Sequence, residues 1–406
     1  MLSHAELLEN EDIARVTLKP REYLQALLND EESSGRGAGL ILTKEDILSI
    51  KRYERHNLDL PTSMTRVEQQ LGFTKSGIPG LEPEDLLMTY LATNEHGRSW
   101  KDIEDSIKLS GTTIDLFAAT FSNQGRQIID VIDSMSISTR IDQKVANVTL
   151  KEIHNTPLLS LSKVDQDGCI ELAEFLKDLA SNIATHQQSS ELLTQKIDTF
   201  STRLSVDLIP DINDKVNLAS RSDVDQQVKN LEADLEQLTV EIEQKNKEYK
   251  TAVNNIAWGI FGGPIGVAIT GGIFGSQAEK IRKEKNRMIN LKNQKILLLK
   301  EKRPLASAVF DLQRLFQDMN FRMLDAHKGV TNLKDLWTML TAYISSSANE
   351  LAEIKDNHSL LRFAIKFNAV VTPWEEINGM TTKLLAIFDS ALNQFQREQR
   401  STIKGK

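Results

Sequence analysis

The chain has 406 residues, with 57 acidic and 49 basic side chains and a formal net charge of −8. That balance argues against a general nucleic-acid binder, which carries a basic surplus, and 40% apolar with 26% charged residues argues against a polytopic membrane protein. Nine prolines, few aromatics and abundant Leu, Ile, Lys, Glu and Gln favour helix over sheet, and the lone cysteine, Cys169, excludes an intramolecular disulfide.

The first twenty residues, MLSHAELLENEDIARVTLKP, place acids where a secretory leader needs bases, and no apolar run follows. The expectation is synthesis in the cytoplasm and release by a route other than Sec. Residues 1–40 read as an N-terminal helical segment ending in the loop EESSGRGAG. Thr43, with Asp46 three positions on, marks a helix start resembling a capping box. FTKSGIPGLEPE, residues 73–84, reads as a connector. A helix is expected from Glu82 to about Lys108, with a break at Ser110-Gly111-Thr112.

Ile114, Phe117, Phe121, Ile128, Ile132 and Met135 then fall at helical spacing, a core-facing stripe. Asn155-Thr156-Pro157 marks a loop. A long helix is expected from about Cys169 to Leu208, and LIPDIN (208–213) reads as a bend. KVDQDGCIELAE (163–174) imitates a calcium loop, but Lys163 stands where the first carboxylate ligand belongs, so a helix-capping turn is the better reading.

Val228, Leu231, Leu235, Leu238, Ile242, Lys245, Tyr249 and Ala252 step by three and four, a heptad seam. The pattern resumes at Met288, Leu291, Lys295, Leu298, Lys302 and Leu305 and runs on to Ile344, with Pro304 and Gly329 expected to bend this arm without ending it. Residues 221–250 hold eight acids and five bases, and residues 279–303 hold ten bases and three acids. Opposite fields suit two antiparallel arms, each about 45 Å long for thirty residues. The fold expected is all-α: an elongated helical bundle (41–220 and 305–406) with a long antiparallel coiled-coil stalk (221–250 and 279–304) that carries an apolar helical hairpin (251–278) at its tip.

Between the arms, Thr251 to Ala278 is a run of twenty-eight uncharged residues. Its length permits one spanning helix, but Gly262-Gly263-Pro264 is a turn signal, and a mid-helix proline costs about 3 kcal/mol. Two limbs of about 17–20 Å are the better reading, shorter than the roughly 30 Å hydrocarbon core. Seven glycines give three G-x-x-x-G spacings, at Gly259/Gly263, Gly262/Gly266 and Gly271/Gly275, which suit close packing in lipid. Burial against the chain's own bundle or in a dimer is the bland alternative. The following basic run, Lys280, Arg282, Lys283, Lys285 and Arg287, suits either anionic headgroups or pairing with the acidic arm.

No spacing of histidines, carboxylates or glycines gives a metal site, a phosphate cradle or a nucleophile elbow, so no catalytic residue, metal or cofactor is expected.

The heptad stalk interrupted by NNIAWGIFGGPIGVAITGGIFGSQAEKIRKEK resembles the α-helical pore-forming toxins, and in length and hairpin position the A components of the binary Xax/Yax-type cytotoxins of Gram-negative bacteria. That resemblance implies a soluble helical protein with tail, neck and head. It implies a second, B component as partner, and a hetero-oligomeric ring on target-cell membrane lipid that lyses cells. Carried onto this chain, the membrane-facing residues would be Ile256, Trp258, Ile260, Phe261, Ile265, Val267, Ile269, Ile273 and Phe274, with Gly262, Gly263 and Pro264 as the turn. A secretion-system translocator and a non-lytic coiled-coil scaffold with a buried hairpin are the alternatives.

Overall fold

The computed structural model describes residues 37–136, 150–220, 226–255, 276–300 and 303–404, and over these the chain is all-α. The helices are α1 (Lys44–Asp59), α2 (Met64–Leu71), α3 (Pro83–Ser134), α4 (Leu150–Asn155), α5 (Lys163–Thr202), α6 (Ile209–Ser220), α7 (Gln226–Asn255), α8 (Ser276–Lys300), α9 (Pro304–Glu353), α10 (Asn357–Val371) and α11 (Pro373–Lys404). The expected N-terminal segment falls almost wholly outside the described residues.

Local chemistry sets the boundaries. The Thr43 hydroxyl accepts from the Asp46 amide at 3.2 Å, and the Asp46 carboxylate accepts from the Thr43 amide at 2.9 Å, the reciprocal box that opens α1. α1 stops before Pro61, with Leu60 extended at ψ 145 as a residue preceding proline prefers. The 73–84 connector ends where Pro83 takes the first position of α3.

Three sequence expectations are corrected. α3 runs unbroken through Ser110-Gly111-Thr112. Ser110 and Thr112 turn their hydroxyls back onto the carbonyls of Ser106 and Lys108, and Gly111 is the contact point for α11, where a Cβ would lie 2.4 Å from Leu385 Cδ2. LIPDIN does not bend the chain into a loop. One π-helical turn, Arg203–Leu208, joins α5 to α6, and the Ile209 amide reaches the Leu204 carbonyl; the widened turn carries Pro210 without its missing N–H breaking the helix. The second heptad arm is not one helix. It ends at Lys300, and Pro304 starts α9, the position a residue lacking an N–H occupies without penalty. There the chain reverses: Ser307 bonds the Ile296 carbonyl at 3.1 Å and Lys292 bonds Gln313 at 2.8 Å, so α8 and α9 are antiparallel neighbours.

KVDQDGCIELAE forms the first turns of α5. Ser162 caps it, and the Asp165 carboxylate accepts from the Ser136 amide at 3.0 Å, so its oxygens are directed at protein donors. Cys169 is buried, and burial pushes its thiol up to about 11.

The core lies along α5 and α9, which run antiparallel, as the ion pair Glu191–Lys334 and the contact of His327 with Asp198 show. α3, α10 and α11 close it. Phe117, from the stripe read in the sequence, sits 5.2 Å from Trp337 of α9 and 5.1 Å from Trp374 of α11, in edge-on contacts worth about 0.5–1.5 kcal/mol each beyond burial. Gly329 lies inside α9, which stays helical through it, and the backbone of Ile41 presses close there: a Cβ would stand 2.8 Å from Ile41 Cα.

Gly329→Ala should therefore lose about 1–3 kcal/mol in urea unfolding, since backbone cannot yield as a side-chain tip can. Gly379→Ala, in α11 with open space around it, should gain about 0.5–1 kcal/mol.

Candidate functional site

The apolar segment is carried by α7 and α8. Two ion pairs, Asp234–Lys295 and Lys245–Glu284, lie eleven residues apart along each helix in opposite senses, so the pair is antiparallel. Ile256, Trp258, Ile260, Phe261, Gly262, Gly263, Pro264, Ile265, Val267, Ile269, Ile273 and Phe274 lie outside the described residues. Among the described residues no helix is long and apolar enough to cross a membrane, and no group of His, Cys, Asp and Glu could hold a metal.

On α7 the seam read from the sequence holds. Val228, Leu235, Leu238, Ile242 and Tyr249 are buried, with Leu231, Lys245 and Ala252 half-buried. On α8 it does not. From Arg282 on, the buried positions are Arg282, Lys285, Ile289, Lys292, Ile296 and Leu299, and those from Ile289 lie one residue (about 100°) round from the expected stripe, while Leu291 and Leu298 are 44% and 60% exposed. The rotation has a cause. The inner face of α8 meets α9 and α1 as well as α7, and these supply carboxylates to its basic residues.

Asp46 is the hub of that contact. Beyond capping α1, it accepts from Arg282 Nη2 at 2.6 Å and from Arg322 Nη1 of α9 at 2.6 Å. Arg282 also donates to Asp325 and, at 3.0 Å, to the Thr43 hydroxyl. Tyr249 of α7 donates its hydroxyl to Asp325. Lys285 donates to Asp318 at 2.6 Å and lies 3.9 Å from the centroid of the Phe321 ring. Four helices thus meet in one buried ionic cluster a few residues from where the apolar segment returns to the bundle.

The pKa shifts follow from that setting. Burial works against the charge on Arg282, but Asp46 and Asp325 override it and raise its pKa further. Burial would raise Asp318, yet Arg322 and Lys285 hold its carboxyl well below the usual range. Lys285 is pushed down to about 8, first by burial and then by Arg322, against the pull of Asp318.

The five basic residues after the segment therefore divide. Lys280, Lys283 and Arg287, at steps of three and four, share the exposed face. Arg282 and Lys285 face inward, and their carboxylates come from α1 and α9 rather than from the acidic arm, which corrects the expected arm pairing for these two. The sequence marked Asp46 only as a helix cap and did not single out Asp318, Arg322 or Asp325. Their signal was present: Asp318, Arg322 and Asp325 repeat at four and three on α9, and Arg282, Lys285 and Lys292 at three and seven on α8, each set on one helix face.

No protein-family model and no curated protein matches the chain. Among solved structures, YaxA from Yersinia enterocolitica is 30% identical over 88% of this chain and 100% of its own, with a TM-score of 0.48. A chain of the YaxAB pore complex is 29% identical over 88% of this chain and 99% of its own, with a TM-score of 0.46. Soluble SmhA, from the tripartite α-pore-forming toxin Smh of Serratia marcescens, is 10% identical over 93% of this chain and 96% of its own, with a TM-score of 0.53. The likeness to SmhA is one of fold and agrees with the all-α architecture. The likeness to YaxA is one of sequence along that protein's whole length, and by it the chain belongs to the Xax/Yax-type family of α-helical pore-forming toxins. It is a toxin-family chain, not an enzyme.

Removing one partner from the cluster leaves charges buried and uncompensated. Arg282→Met should cost about 3–5 kcal/mol in denaturant unfolding, whereas Lys283→Met, one position away on the exposed face, should stay within about 0.5 kcal/mol.

Proposed function

We propose that this chain is one subunit of a binary α-pore-forming cytotoxin, which attaches to a target-cell membrane through residues 251–278, joins a second toxin component and assembles with it into a ring-shaped lytic pore. The observation that carries this reading is the twenty-eight-residue uncharged segment between two antiparallel helices in a chain of this family. Participation of a 29% identical chain in the YaxAB pore complex supports the partnership. On this reading residues 41–220 and 305–406 form the tail bundle, 221–250 and 279–304 the neck, and 251–278 the head.

Ile256, Trp258, Ile260, Phe261, Ile265, Val267, Ile269, Ile273 and Phe274 are the lipid-facing residues of the head, and Gly262-Gly263-Pro264 is its turn. Limbs of about 17–20 Å do not cross a roughly 30 Å core, so the head anchors in one leaflet unless a partner helps it further. Lys280, Lys283 and Arg287 stand on the exposed face of α8 just beyond the segment, where each adds about 1 kcal/mol of attraction to anionic headgroups.

Haemolysis and dye release from liposomes, with and without the second component, test the reading. Gly263→Asp/Ile269→Asp places two carboxylates in the apolar segment, at about 2.5–3.5 kcal/mol each near a bilayer centre, and should abolish lysis while leaving the circular dichroism of the soluble protein unchanged. Lysis at the wild-type level would sink the proposal. Lys280→Glu/Lys283→Glu/Arg287→Glu should weaken binding to phosphatidylserine vesicles at least tenfold at low salt, with little change on neutral vesicles.

A further inference from the structure

Lys292 is the one buried cation of the α8 inner face that the ionic cluster does not take up. It lies two turns further along the helix and is 0% exposed. Its ammonium donates to the Thr239 hydroxyl of α7 at 2.7 Å and to the side-chain carbonyls of Gln313 and Gln317 of α9 at 2.8 and 2.9 Å. Three donors meet three neutral oxygens, and no carboxylate among the described residues lies within ion-pair distance of Nζ.

The cage is itself fixed on every side. Gln313 donates to Asn213 of α6 at 2.7 Å, Gln317 donates to the Thr239 carbonyl at 3.3 Å, and Thr239 donates to Gln313 at 3.0 Å. The charged groups acting on Nζ are Arg314 and Asp311 of α9 and Glu243 of α7; on α6, Asn213 bonds Gln313 and the buried Lys215 is paired with Asp211. Along the rest of this contact the groups facing one another are Lys285 with Asp318, and Arg282 and Arg322 with Asp46 and Asp325. The face by which the α7–α8 pair lies on α9 thus sets these polar groups among apolar ones such as Tyr249, Ile296 and Leu299, and water can solvate the polar groups once the helices part.

We propose that Lys292 makes the docking of the α7–α8 pair on α9 sensitive to protons, so that a fall from mildly alkaline to neutral pH loosens the two helices that carry the apolar segment. Burial, then the Arg314 charge, pushes Lys292 down to about 7 from its ordinary 10.5. The parted state, with the amine in water, therefore holds more protons than the docked state between those two values. Docking weakens as pH falls through that window and is independent of this group below it. From pH 8 to pH 6 the equilibrium shifts about tenfold towards parting. Lys285, down to about 8, acts in the same direction.

This inference supplies a regulation for the proposed head, but its test needs neither membrane nor partner, so failure of either idea is visible separately. Amide hydrogen exchange of α8 residues Ile289 to Leu299 in the full-length soluble protein, corrected for intrinsic rates, gives the opening constant from pH 6 to pH 9. The wild type should open about tenfold more at pH 6 than at pH 8. Lys292→Met, which cannot charge, should stay closed and vary less than threefold. Lys292→Arg, charged throughout, should open more than wild type at pH 8 and also vary little. Should Lys292→Met not fold, Lys292→Arg still decides. A tenfold rise persisting in a folded variant, or no rise in the wild type, overturns the assignment.

Discussion

The contact on which the rest of the molecule depends is the carboxylate of Asp46 between two guanidinium groups. Asp46 closes the N-terminus of α1 and binds Arg282 of α8 and Arg322 of α9, with Asp325 and Tyr249 completing the cluster. Removing an ion from water costs several kcal/mol even after relaxation, and a buried cluster offsets that only when its geometry and remaining hydrogen bonds are good. Here they are good. The arrangement then holds only if four helices keep their places, so a stretch of charge fixes the rotation of α8 about its own axis.

That rotation explains the division of the basic run. With Arg282, Lys285 and Lys292 turned inward, Lys280, Lys283 and Arg287 must face out, and so must Leu291 and Leu298. An apolar seam would bind α7 and α8 to α9 more firmly, because apolar surface resists re-exposure by about 25 cal/mol per Å². A seam that carries this much charge separates at less expense, since water can take up its polar groups. The mount beneath the apolar segment is therefore of a different kind from the α5–α9 core, where Phe117, Trp337 and Trp374 pack without charge.

Much of this was legible in the sequence, and the failures share one physical origin. Caps and prolines act through neighbouring backbone groups, so the starts of α1 and α3 and the loop at Asn155-Thr156-Pro157 could be read directly. The stripe from Ile114 to Met135 and the seam of α7 were equally plain, because there burial and hydrophobicity agree. On α8 they disagree. Leucines at 291 and 298 outweigh lysines at 285 and 292 in any periodicity, and only partners distant in sequence reverse the choice: the carboxylates of Asp46, Asp318 and Asp325 for Arg282 and Lys285, and the Thr239, Gln313 and Gln317 oxygens for Lys292. The smooth continuation across Pro304 misled for a related reason: a heptad pattern is the same whether the chain runs on or turns back. The break expected at Gly111 failed because close helix contact absorbs what looks locally unhelical, and at LIPDIN, read as a bend, a π-turn keeps the chain helical.

The central claim is that residues 251–278 enter a bilayer, and Trp258 reports on it. Trp100, Trp337 and Trp374 are buried in the bundle, so quenching by brominated lipids that disappears in Trp258→Phe isolates the segment. Liposomes carrying bromines on the acyl chains, mixed with the protein and its second component, should quench wild-type fluorescence and leave Trp258→Phe unaffected. Equal quenching of the two proteins, or none in either, would contradict insertion of this segment.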